Sequence, residues 1–325
     1  MSSAPLEDVA PIRLGTRASL LATTQSGTVA DAVRAATGRE VELVRITTDG
    51  DVLTGPLAQL GGTGVFVAAL RDALLRGACD LVVHSMKDLP TGPVAGLRIG
   101  TVPERAPVRD ALCSRDGLTL AGLPHGAIVG SGSPRRVAQL LRARPDLDVR
   151  GIRGNVDTRL RKVDEGAYDA VVLAEAGLLR IGRRDRIAEV FDADAWPTSA
   201  GQGALAVEVR TDDPLGDELA ALTDADAAVT SLLERAVLRR LEAGCAAPVG
   251  ITARVGAPTG ASVATVALIA EVYSLDGARS VRVERVFARD DVADETARED
   301  AAAEIVADLL ARGAGDLADL TGSGR

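Results

Sequence analysis

With 325 residues, 46% of them hydrophobic and 26% charged, the chain is long enough for two or three soluble globular domains. Aromatic residues at 2% exclude the stacking platforms of single-strand binders, and a net charge of −9 excludes a general nucleic-acid or anionic-membrane surface. Two histidines and three widely spaced cysteines form neither a zinc pattern nor a disulfide framework, so no metal is expected and a reducing cytoplasm is the natural compartment.

Met1 to Pro11 carries acidic residues and no long apolar run, so it reads as a frayed extension and not as a signal peptide or membrane span. Ile12–Gly15 reads as a short strand, Thr16-Arg17-Ala18-Ser19 as a junction, and about Leu20 to Ala36 as a helix stopped near Gly38. Val41–Ile46 is β-branched and alternating, a second strand. Thr47 to Gly64 is Gly-rich and long, the kind of loop that is often a functional lid. Val65–Arg76 has helical periodicity and leads into Leu81-Val82-Val83, a buried strand that stops at His84-Ser85-Met86-Lys87-Asp88-Leu89-Pro90. Pro90 forbids a continuing helix, which places His84 to Asp88 at the carboxyl end of a strand, the ligand-binding edge of an open α/β sheet. The bland alternative is a salt-bridged loop with Lys87 paired to Asp88.

Leu97–Val102 is a further strand, and Pro103 to Pro107 reads as a crossover. A second alternating set follows: a strand at Ala127–Val129, a helix with Ser133 as cap and Pro134 as first residue, a strand at Val149–Ile152, a helix from Val156 capped by Asn155, a strand at Tyr168–Ala174 and a short helix through Arg180. Leu205–Val209 is a strand and Asp224–Leu241 a helix ended near Gly244. Cys245 to Gly250 reads as a turn, followed by two alternating runs, Ser262–Tyr273 and Ser280–Phe287, and a last helix from about Ala293 to Ala311. The fold class is α/β: two βα domains flanking a cleft, plus a small α/β third domain with an antiparallel sheet.

Three strand–helix junctions share one chemical theme. Arg17 and Ser19 precede the first helix; Ser131, Ser133, Arg135 and Arg136 open another; Arg153 and Asn155 open a third, with Arg159 one turn in. Free N–H groups and the helix dipole favour anions at such places, and arginine adds bidentate recognition of carboxylate or phosphate. A single junction of this kind is ordinarily a capped surface helix; three at carboxyl strand ends point to a ligand with many negative groups. Asp88 is useless for holding a polyanion but suits a reacting centre that becomes cationic or a basic leaving group. Cys79 and Cys113 read as core thiols, whereas Cys245 follows a helix end and lies on a loop, where a nucleophile can act.

Leu14 to Ser19, His84 to Pro90, Ser131 to Arg136, Arg153 to Leu160, Gly201-Gln202-Gly203-Ala204 and Leu241 to Gly250 resemble, in the same order, the motifs of the hydroxymethylbilane synthase (porphobilinogen deaminase) family over about residues 12 to 250. The resemblance implies periplasmic-binding-protein-like first and second domains, residues 1–103 plus 204–221 and 104–203, and a cofactor-anchoring third domain, 222–325. It implies a dipyrromethane cofactor in thioether linkage to Cys245, and head-to-tail condensation of four porphobilinogen molecules, with loss of ammonia, to 1-hydroxymethylbilane. Asp88 is then catalytic. Arg17, Ser19, Lys87, Ser131, Ser133, Arg135, Arg136, Arg153, Arg159 and Gln202 hold the cofactor, and Arg17, Ser19, Arg153, Arg159 and Arg180 the substrate. A monomer with a small-molecule substrate, no nucleic-acid partner and no membrane association is expected. The chain departs from the family at Asp49, Gln59 and Thr63, where basic residues are common, and at Gly132, where serine is common. The rival readings are a non-enzymatic two-lobed binding module for a polycarboxylate, and a phosphate-handling transferase, which the missing Walker loop disfavours.

Overall fold

The computed structural model describes residues 10–47, 64–243, 247–256, 264–318 and 320. The lid segment with Asp49, Gln59 and Thr63, and the anchor residue Cys245, lie outside the described residues. The chain divides into two compact units: Met1–His84, Pro93–Pro103 and Ala206–Thr223 form one, and Ser85–Gly92, Glu104–Leu205 and Asp224–Arg325 the other.

The first unit is built on a five-stranded sheet. Strands β1 (Ile12–Thr16), β2 (Val41–Arg45), β3 (Leu81–Ser85), β4 (Leu97–Thr101) and β10 (Leu205–Arg210) lie in the order β2-β1-β3-β10-β4. β1 runs parallel to β2 and β3, and β10 antiparallel to β4. Helix α1 (Leu20–Thr37) starts because the Ser19 hydroxyl accepts the Ala22 N–H, and stops at Gly38 in the left-handed region. Helix α2 (Gly64–Leu75) contributes Leu70, Ala73 and Leu74 to a core shared with Cys79, Val82 and Leu97.

The second unit holds two sheets. Strands β5 (Asp110–Ser114), β6 (Ile128–Gly130), β7 (Asp148–Arg150), β8 (Ala170–Ala174) and β9 (Glu189–Val190) lie in the order β7-β6-β8-β5-β9. β6 is parallel to β7 and β8, and β5 antiparallel to β8 and β9. Its helices are α3 (Pro134–Ala143), α4 (Val156–Asp164) and α5 (Glu175–Arg180). Both five-stranded sheets thus share one positional order, with the strand from a distant part of the chain inserted next to the last. β5 is absent from the sequence reading. Leu112 packs on one face of the sheet and Ala111 and Cys113 on the other, so the strand shows no polar alternation to read.

After the short helix α6 (Leu215–Glu218), helix α7 (Ala225–Arg240) begins where Asp224 accepts the Ala227 N–H. Strands β11 (Val249–Gly256), β12 (Thr265–Tyr273) and β13 (Ser280–Ala288) form an antiparallel meander, closed by helix α8 (Glu295–Ala311). The alternate residues Val266, Leu268, Ala270 and Val272 of β12 meet Leu233 and Val237 of α7 and Ile305 and Leu309 of α8 in one core. The expected turn through Gly250 ends earlier, because Val249 already pairs with Val272 in the ladder.

Candidate active site

The polar run after β3 becomes a single 3-10 turn over Met86–Asp88, closed by the Leu89 N–H on Met86 O at 3.2 Å. Met86 is its buried root: its side chain is fully enclosed and its N–H donates to Ala204 O at 3.0 Å. Gly201, at φ +73°, lies so close that an added Cβ would stand 3.0 Å from Met86 Cγ. With Met86 pointing inward, Lys87 is half-buried and Asp88 is presented to solvent. His84 belongs to the first unit, inside β3, where its Nε2 lies 3.0 Å from Glu208 Oε2. Arg71 grips the same carboxylate from Nε and Nη2.

Behind the turn sits Asp110, fully buried at the start of β5. Its Oδ2 accepts from Arg135 Nη1 at 2.8 Å and Trp196 Nε1 at 3.2 Å. Its Oδ1 accepts from Arg136 Nη2 at 2.6 Å and Gln202 Nε2 at 2.8 Å. Burial alone would raise this carboxyl, but the two guanidiniums outweigh it and hold the group far below the ordinary carboxylate range. The Gln202 amide is oriented by chemistry. Its Nε2 also donates to Val108 O at 2.7 Å, so Oε1 must face the cations, 3.4 Å from both Lys87 Nζ and Arg136 Nη2. Arg135 Nη1 further serves Gln139 Oε1 and Pro197 O, which makes this arginine largely a support for the protein's own groups. Arg136 Nε, in contrast, is buried with no hydrogen-bond partner among the described residues.

Further cations belong to the same unit. Arg159 is half-buried, donates from Nε to Gly154 O at 2.8 Å, and has its pKa lowered by burial and then by Arg136, with Asp88 opposing. Arg180 donates to Gly203 O at 2.7 Å, and burial takes its pKa down to about 10. Lys87 falls to about 8: burial lowers it, Asp88 and Asp110 oppose, and Arg136 and Arg135 add to the fall. Ser133 stands at the N-cap of α3 without making a side-chain capping bond, and Ser131 Oγ accepts the Ser133 N–H at 3.2 Å. Asn155 caps α4 through Thr158 N–H, and Arg153 is exposed beside it. Arg17 and Ser19 stand at the carboxyl end of β1 in the first unit.

Sequence reading missed the groups that hold this set in place. Glu234 of α7, fully buried, accepts from Arg105 Nη2 at 2.7 Å, from Gly201 N–H at 2.7 Å and from Ala253 N–H at 2.6 Å. Gly203, at φ +86°, leaves an added Cβ only 2.3 Å from Ala106 O, so the Gly201–Ala204 turn admits no side chain there. Asp110 had one signal, a lone acid heading an apolar run; Glu234 had none. Among the described residues, no group of three or more His, Cys, Asp or Glu is placed to hold a metal ion, and no helix is long and apolar enough to cross a membrane.

Residues 12–218 match the family model described as porphobilinogen deaminase, dipyromethane cofactor binding domain, and residues 228–310 the model of the porphobilinogen deaminase C-terminal domain. The chain belongs to the porphobilinogen deaminase family. It is 52% identical over 320 residues to the porphobilinogen deaminase of Leifsonia xyli, covering 96% of this chain and 95% of that protein. The Thermobifida fusca porphobilinogen deaminase is 55% identical over 85% of each chain, and that of Cutibacterium acnes 49% identical over 96% of this chain and 98% of its own. Among solved structures, a periplasmic substrate-binding protein from Coxiella burnetii aligns with a TM-score of 0.42 and 13% identity, covering 69% of this chain and 95% of that one. Membership in a deaminase family with a dipyrromethane-binding domain sets aside the non-enzymatic binding module. The donor set fits such a cofactor. Arg136 Nε is a buried, unanswered donor, and Arg159 and Arg180 are half-buried cations bonded to neutral carbonyls, as a polycarboxylate requires.

Proposed function

We propose that the Asp88 turn is the catalytic centre at which porphobilinogen loses ammonia, and that this chain is a transferase condensing four such molecules into 1-hydroxymethylbilane in tetrapyrrole biosynthesis. The observation that carries the reading is one exposed carboxylate beside a set of cations in which the buried Arg136 has a donor left over. Pyrrole acetates and propionates are anions; Arg136, Arg153, Arg159, Lys87, Ser131 and Ser133 bind them, with Gln202 and Arg135 aiming the cations from behind. Arg180, and Arg17 and Ser19 of the first unit, supply donors of the same kind to substrate.

The protonated amine of the aminomethyl group leaves as ammonia, taking the C–N electron pair; its methylene stays on the ring, and the positive charge passes to the pyrrole. Asp88 stabilises that charge and holds the ring N–H, as a carboxylate can and an arginine cannot. When bound, the dipyrromethane supplies a free α-carbon as the nucleophile, so no side chain attacks at each turnover. Cys245 anchors it through sulfur. The three sheets support domains at 1–103 plus 204–221, 104–203 and 222–325. The buried free thiols Cys79 and Cys113 support a cytoplasmic setting, and we infer a monomer that uses neither nucleic acid nor membrane.

Intact mass of the denatured protein with peptide mapping tests this. An adduct of two pyrrole units on the Cys245 peptide is expected, absent along with turnover in Cys245→Ser. A bare mass that stays bare after incubation with porphobilinogen refutes the tether. Asp88→Asn should keep the adduct and lose turnover by about 10³-fold; near-normal product formation removes its role.

A further inference from the structure

Asp88 lies on a single 3-10 turn whose backbone makes few bonds of its own, Met86 N–H to Ala204 O and Leu89 N–H to Met86 O. The strand ends at Ser85, the 3-10 turn is one residue set long, and Pro90 brings no N–H. Beyond the Leu89 N–H on Met86 O, its carbonyls are answered by a side chain remote in sequence. Arg235 of α7 donates from Nη1 to Met86 O at 3.1 Å and to Leu89 O at 2.7 Å, and from Nη2 to Pro90 O at 2.8 Å. These bonds bracket Asp88 on both sides. They are charge-assisted and issue from one planar, buried guanidinium, which no other side chain reproduces. The residue before it, Glu234, fixes the Gly201 end of the turn that carries Gln202. The same helix runs on toward the Cys245 segment.

We propose that Arg235 is a positioning residue for the deamination step: by clamping the carbonyls around Asp88 it aims that carboxylate and registers it to the helix preceding the anchor cysteine. The inference rests on the reading of Asp88 as the group that assists ammonia loss. Lysine cannot span three carbonyls from one nitrogen plane, so Arg235→Lys lets the turn drift, and a misplacement of about 1 Å costs on the order of 100-fold in rate. The three bonds of Arg235 described above go to main-chain carbonyls of the turn, so the substrate KM is expected to stay near its normal value.

The test is a double-mutant cycle on cofactor-loaded protein, with loading checked by intact mass and folding by thermal midpoint. Arg235→Lys is expected to lower kcat about 100-fold with KM nearly unchanged, and to add nothing in the Asp88→Asn background. Unchanged kcat in Arg235→Lys, losses that add to those of Asp88→Asn, or a loss that only tracks unfolded or unloaded protein each overturn the inference. Normal turnover by Asp88→Asn itself overturns the Asp88 reading instead, so the two failures are distinct. Should Arg235→Lys not fold, Arg235→Gln, which keeps two N–H donors without charge, goes through the same cycle, and the same results support or overturn the inference.

Discussion

Two buried carboxylates, one in each unit, show how a structural ion pair differs from a binding set. Glu208 in the first unit is closed. Arg71 meets it from helix α2 with two parallel bonds, and His84 of the neighbouring strand β3 lies against it. Asp110 in the second unit is as buried and as well bonded, yet its surroundings are not balanced. Two guanidiniums and Lys87 face one acid, and a donor of Arg136 remains over. Burial and short distances are common to both. Charge stoichiometry separates them, because excess buried cation is stable only where an anion arrives to answer it.

Removing Asp110 should show the largest effect. Asp110→Asn leaves Arg135 and Arg136 buried without their carboxylate, which costs about 3–5 kcal/mol of stability. It also frees Arg136 and Gln202 from their aim, so cofactor loading falls with it. Denaturant midpoint and adduct mass check this; an unchanged midpoint would show that the two arginines are not held by Asp110. Glu208→Gln should cost about 3 kcal/mol by the same mechanism, but turnover per loaded, folded molecule should stay unaltered. Its acid limb is diagnostic. Burial raises the Glu208 pKa, but His84 and Arg71 outweigh it and bring it down from 4.5 to about 2. The stability it contributes is therefore fully present above pH 4.5 and is lost as pH falls toward 2. Stability measured across that window should flatten in the variant.

The smallest effect is read at Lys87. Its folded pKa, about 8 against an ordinary 10.5, means that the folded site releases a proton the unfolded chain still holds between those values. Stability from this group therefore rises with pH across that window while its attraction for carboxylates falls. The rate at which apo-protein takes up the pyrrole adduct should decline as pH passes 8, and the decline should vanish in Lys87→Gln. A flat wild-type profile from pH 7 to 9 would mean that Lys87 holds no cofactor carboxylate.

Much of the fold was legible because its signals are local. Ser19, Asn155 and Asp224 cap helices through bonds three residues away, and the β12 alternation is carried by successive residues. The strand-end position of Lys87 and Asp88 followed from an apolar run stopped before proline. β5 escaped because both its faces are buried, and β11 because its start was read as part of a turn.

The sequence by itself determined the chemistry available: Asp88 among arginines and lysine, and motifs in an order that names the family. Only the tertiary structure decided which charges are left over. Arg135 and Arg136 are neighbours in the chain, yet Asp110, 25 residues from the nearer of them, occupies much of the first and leaves a donor on the second. His84, four residues before Asp88, is drawn away by Glu208 from another strand. Arg235, 146 residues from Leu89, holds the turn that presents Asp88. Partners this distant leave no periodicity or spacing to read, because the pairing energy depends on positions that exist only once the sheets and α7 have packed.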